Sequence, residues 1–102
     1  MNVKSLLSSF MILSVFSSVQ ALAEFKVGVV LDKGGKDDKS FNAAAYKGAT
    51  RAKDELKIFF KYVEATDDNA FPQLIRSFAE KNFDLVIAVG VSQAEAMKKV
   101  SA

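Results

Sequence analysis

A chain of 102 residues, 50% hydrophobic and 25% charged, has room for one globular domain at most. Its formal charge of +2 comes from 14 basic residues interleaved with 12 acids, and with no basic stripe the pattern argues against a nucleic-acid binder. Lacking both His and Cys, the chain is without the commonest general base, the commonest zinc ligands, a thiol nucleophile, a disulfide framework and a lipid-modified cysteine.

Residues 1–23 read as a targeting segment. Lys4 supplies a positive start, Leu6 to Val19 an apolar stretch, and Ala21-Leu22-Ala23 a small-residue cleavage site, so that Glu24 is the expected new amino terminus. A membrane anchor is the competing reading, but Ser5, Ser8, Ser9, Ser14, Ser17 and Ser18 interrupt a stretch already shorter than the ~20 apolar residues a spanning helix needs. The expectation is a cleavable signal peptide and a soluble periplasmic product, in a host with an outer membrane.

The window Lys26 to Asn42, KVGVVLDKGGKDDKSFN, holds most of the specific chemistry. Val27, Val29, Val30 and Leu31 predict a short strand buried on both faces and ending near Asp32. Gly34 and Gly35 suit positive φ in the following loop, and a helix is expected at once, with Ser40 accepting from a first-turn amide and Asp37 and Asp38 near its positive end. Phe41, Ala45, Gly48, Ala52 and Leu56 then recur as the stripe of an amphipathic helix whose small residues allow close approach to a sheet.

Ile58, Phe59, Phe60, Tyr62 and Val63 predict a second strand, and Ala65 to Asn69 a polar loop. Pro72 suits the first turn of a second helix burying Phe71, Leu74, Ile75, Phe78 and Ala79. Leu85 to Val89 is a third buried strand ended by Gly90, and Ser92-Gln93-Ala94-Glu95 reads as a capping box opening a third helix. The pattern β-α-β-α-β-α implies an α/β fold with right-handed crossovers and a parallel sheet, the start of a Rossmann-like lobe. Three strands leave sheet edge uncovered, so residues 24–102 are expected to be the amino-terminal part of a larger, truncated lobe.

Ligands of such sheets bind where loops at the strands' carboxyl ends meet helix amino termini. The glycine loop fits neither a dinucleotide fingerprint nor a phosphate loop, since Gly28, Gly34 and Gly35 have the wrong spacing and Asp37 stands where Ser or Thr should follow Lys36. Three nearby acids leave open a magnesium-dependent enzyme or receiver domain, although only Asp32 occupies a strand end. Taken by themselves, Asp32 reads as a turn residue, Phe41 as the first core residue of its helix, and Asn42 as a ligand contact or support for the first helical turn.

The run G-G-x-D-D-K-S-F-N behind a strand ending in Asp resembles the amino-terminal signature of the basic membrane protein family, the purine nucleoside receptor-like solute-binding proteins of ABC importers. The resemblance covers everything after the leader but only the opening part of that family's first lobe. It implies a type I periplasmic-binding-protein fold, a noncatalytic receptor without cofactor or metal, a purine nucleoside or similar small ligand, and transporter membrane subunits as its partners and its one link to the membrane. By the same resemblance Asp32 meets the polar edge of the base, Phe41 forms one side of an aromatic sandwich, and Gly90, Val91 and Ser92 lie at the third strand end, where backbone faces the cleft. Another small solute, such as a sugar or an autoinducer, is the alternative, because fold does not fix function.

Overall fold

The computed structural model describes residues 24–102, so the targeting segment expected over residues 1–23 lies outside the described residues. Strand β1 (Lys26–Leu31) is its centre, buried from Val27 onward. It pairs in parallel with β2 (Phe59–Glu64) on one side, Lys26 opposite Phe59, and with β3 (Leu85–Ala88) on the other, Val27 opposite Leu85. The order β2-β1-β3 means that the chain steps one way from β1 to β2 and then back across β1 to β3. Crossovers of one hand taken in opposite directions put their helices on opposite faces of the sheet.

The packing shows this division. On one face Val27, Val29 and Leu31 meet Ala45 and Ala49 of α1 (Phe41–Leu56), with Ile58, Phe60 and Tyr62 alongside. On the other, Val30 lies among Phe71, Ile75 and Phe78 of α2 (Phe71–Glu80) and Ala96 of α3 (Ala94–Ser101), with Leu74, Val86 and Met97 packed around them. Gly28 belongs to this second face because a Cβ there would stand 2.5 Å from the Phe78 ring, so the glycine is what lets α2 approach β1.

The α/β class, the three parallel strands and their order along the chain agree with the sequence reading, and the differences are local. β2 starts at Phe59 rather than Ile58, and β3 stops at Ala88 rather than Val89. Ala79 is exposed rather than buried, since α2 turns Ile75 and Phe78 inward. The α1 stripe is only partly covered: Ala45 and Ala49 pack, whereas Phe41, Gly48 and Leu56 are exposed. Pro72 lies in the first turn of α2 as expected, and a 3-10 turn (Asp68–Ala70), capped by the Asp67 side chain accepting from the Asn69 amide, leads into that helix.

Candidate functional site

At the carboxyl ends of β1 and β3 the strand order changes direction, the place where open α/β sheets form their ligand crevice. Asp32 directly follows β1, Gly90 to Ser92 follow β3, and α1 begins with Phe41, its Asn42 bonded to the Asp32 backbone. Four of the residues singled out from the sequence, Asp32, Phe41, Gly90 and Val91, thus lie on loops or helix starts at one end of the sheet.

Asn42 builds the junction. It is 2% exposed, and its Oδ1 accepts from the Asp32 amide at 2.8 Å while its Nδ2 donates to the carbonyls of Asp32 at 3.0 Å and Lys33 at 3.3 Å. Of the two roles open to Asn42 in the sequence, the geometry displays support, directed at the end of β1 rather than at its own helix. An asparagine suits the place because one side chain satisfies backbone groups of both signs where the ladder has stopped.

Asp38, not Ser40, caps α1. Its carboxylate accepts from the amides of Ser40 at 2.8 Å, Ala43 at 2.9 Å and Asn42 at 3.2 Å, whereas Ser40 makes no capping bond with its side chain. Partial desolvation would raise the Asp38 pKa, but the bonds from Ala43, Ser40 and Asn42 outweigh it and hold the carboxyl below its ordinary value of 3.8. Gly34 and Gly35 take φ of +103° and +68° in the loop before it, as glycine allows.

Two ion pairs lie on the loops at this end. Lys33 reaches Asp68 at 2.7 Å, joining the loops after β1 and β2, and this contact raises the lysine's pKa. Lys36 pairs with Asp37 at 3.0 Å, which raises its pKa in the same way. Asp37 and Asp38 are thus engaged separately from Asp32, and among the described residues no three His, Cys, Asp or Glu side chains are grouped to hold a metal ion.

Ser92 does not open a capping box. A 3-10 turn (Val91–Gln93) precedes α3, and the Ser92 hydroxyl donates instead to Asp32 Oδ2 at 2.6 Å across the crevice. Gln93 is the residue that sequence reasoning missed. Fully buried, it donates from Nε2 to the carbonyls of Val30 and Val89, both at 2.8 Å, and so ties the ends of β1 and β3; its Oε1 has no partner among the described residues. No spacing rule marks such a glutamine, since its partners are carbonyls on two strands.

Two large apolar side chains stand exposed at this end, Phe41 at 80% and Val91 at 95%. Phe41 therefore does not serve the core of the described residues, although it sits on the helix stripe. The crevice thus offers a fixed carboxylate as acceptor beside exposed apolar surface. It is poorly suited to an anion, because the first amides of α1 are taken by Asp38 and the nearest charge is negative.

Comparison with known proteins gives a consistent result. The family described as ABC transporter substrate-binding protein, PnrA-like, matches residues 25–102. An uncharacterized lipoprotein of Pyrococcus furiosus is 41% identical over 66 residues, which is 64% of this chain and 17% of that protein. Among solved structures, an ABC transporter solute-binding protein from Aeropyrum pernix K1 superposes with a TM-score of 0.68 at 31% identity, covering 76% of this chain and 21% of that one. A lipoprotein fragment from Peptoclostridium difficile 630 gives 0.70 at 29% identity, covering 76% of this chain and 64% of that one. The chain spans only 16% to 19% of the length of its three Pyrococcus relatives.

Proposed function

The chain belongs to the family of PnrA-like ABC transporter substrate-binding proteins, and we propose that residues 24–102 form the opening part of the first lobe of a receptor for purine nucleosides. The receptor works outside the cytoplasmic membrane, reached through a leader over residues 1–23, and hands its ligand to the membrane subunits of an ABC importer. Its role is capture, without chemistry on the solute.

The observation that carries this reading is that an exposed Phe41 opens α1 at the same end of the sheet where the Asp32 carboxylate is held, the end at which ligands of open α/β sheets bind. A purine nucleoside matches both. Its base has a flat face for the phenyl ring, and inosine and guanosine present N–H donors to a carboxylate. A neutral solute also suits a site whose nearest helix terminus is already neutralised by Asp38. Asn42 and Gln93 act behind the site, holding the strand ends from which Asp32 and the Gly90–Ser92 turn project.

The test replaces the equivalent segment of a full-length family member that binds inosine with residues 24–102, and measures binding by calorimetry. The graft should bind inosine and guanosine, and neither ribose nor magnesium alone. Phe41→Ala should weaken all purine nucleosides by roughly 1–3 kcal/mol, the usual worth of one base-stacking contact. Asp32→Ala should cost roughly 1.5–3 kcal/mol for bases with an N–H edge and little for those without one. Unchanged affinities in both variants, with lowered melting temperatures, would make Phe41 and Asp32 structural and end this reading.

A further inference from the structure

The Asp32 carboxylate is held in place before any ligand arrives. Its Oδ1 accepts from the Lys33 amide at 2.7 Å and its Oδ2 from the Ser92 hydroxyl at 2.6 Å. On the same side Gly90 lies so close that a Cβ added there would stand 2.6 Å from Oδ2, and its φ of +99° is itself a glycine conformation. The carboxylate thus rests in a notch formed by a residue without a side chain and is fastened there by the hydroxyl two positions later.

We propose that Ser92 is a positioning residue for ligand recognition: it sets the Asp32 carboxylate toward the crevice, with Gly90 providing the space. A carboxylate oxygen can accept more than one hydrogen bond, so Oδ1 and Oδ2 each keep a lone pair for a ligand N–H while holding their present donors. Fixing the rotamer in the empty protein removes an ordering cost that binding would otherwise carry. The role follows from the topology, since Asp32 and Ser92 are 60 residues apart and meet because β1 and β3 are neighbours. Gln93, next in the chain, fixes that neighbourhood from beneath by bonding the carbonyls of Val30 and Val89. Ser92 itself is exposed, so its hydrogen bond has little weight in stability and its effect falls on the acceptor it holds.

The inference rests on the nucleoside reading above, and the experiment separates the two. In the same graft, Ser92→Ala, Ser92→Thr and Asp32→Ala are titrated with inosine, which presents an N–H on its base, and with purine riboside, which presents none. Ser92→Ala should lower inosine affinity about fivefold, the effect of one hydrogen bond of ordinary strength, and change purine riboside affinity less than about twofold. Ser92→Thr, which keeps the hydroxyl, should restore inosine binding. If Asp32→Ala removes the preference for inosine but Ser92→Ala leaves it intact, the positioning role is overturned and the nucleoside reading stands. Equal loss for both ligands in Ser92→Ala would make Ser92 a general support of the loop and also overturn the role. If Asp32→Ala leaves the preference unchanged, the nucleoside reading fails and this inference with it.

Discussion

The two faces of the sheet are built differently although β1 buries both. Against α2 and α3 the chain supplies bulky side chains, and Phe71, Ile75 and Phe78 are sealed among Val30, Val63, Val86 and Met97. Against α1 it supplies alanines, which lie on β1 and β2 but do not extend over β3, so that Phe25, Leu56, Leu85 and Ile87 border an open apolar groove. Side-chain size explains the contrast. A helix faced with small residues comes close to the strands beneath it and covers little beside them, whereas Phe71 and Phe78 fill the wider space between helix and strand. Strand β3 is therefore half finished: Val86 and Ala88 pack on the sealed side, while Leu85 and Ile87 look into the groove.

Substitutions on the two faces should separate accordingly, read by denaturant unfolding of the graft. Phe78→Ala should have the largest effect, a loss of about 3–5 kcal/mol, because it empties a buried site beneath Gly28 and removes an edge-on contact with the Phe83 ring at 4.7 Å. A loss below about 1 kcal/mol would mean that the sealed face is not the main core. Asn42→Ala should come next, at roughly 1–3 kcal/mol, since it strips partners from the Asp32 amide and carbonyl and the Lys33 carbonyl together. Were it neutral, water would be replacing the amide and the junction would be more open than its burial indicates. Ile87→Thr, on the groove side, should change the stability of the chain by itself, rather than of the graft, by no more than about 0.5 kcal/mol, since Ile87 is 42% exposed there. A cost as large as that of Phe78→Ala would erase the distinction between the faces.

The crevice lies at the end of the sheet, where neither face determines its shape. Polar side chains set it: Asn42 of α1 bonds the backbone just past β1, Gln93 bonds carbonyls of β1 and the residue after β3, and Asp38 in the preceding loop caps α1, each closing backbone groups that regular structure leaves open. Phe41 and Val91 remain outside that network and uncovered. Loops held in this way by polar side chains can fix a carboxylate without a large core beneath them.

The sequence by itself determined the alternation of strands and helices, their parallel sense, the burial of the first strand on both faces, the place of Pro72 and the glycine loop. These follow from local periodicity and backbone preference, which neighbouring residues express wherever the segment finally sits. Tertiary structure alone decided which polar side chain served which backbone group. Ser40 and Ser92 both read as helix caps, because a hydroxyl near a helix start is a capping residue in isolation; Asp38 lay within reach of three amides at once and took the first role, and the pairing of β1 with β3 put Asp32 in front of Ser92 and drew it from the second. Asn42, Gln93 and Gly28 have meaning only through partners on other elements, and whether Phe41 is core or surface depended on how far α1 reaches over the sheet. Contacts of that kind depend on the spatial order of the strands, which no local pattern encodes.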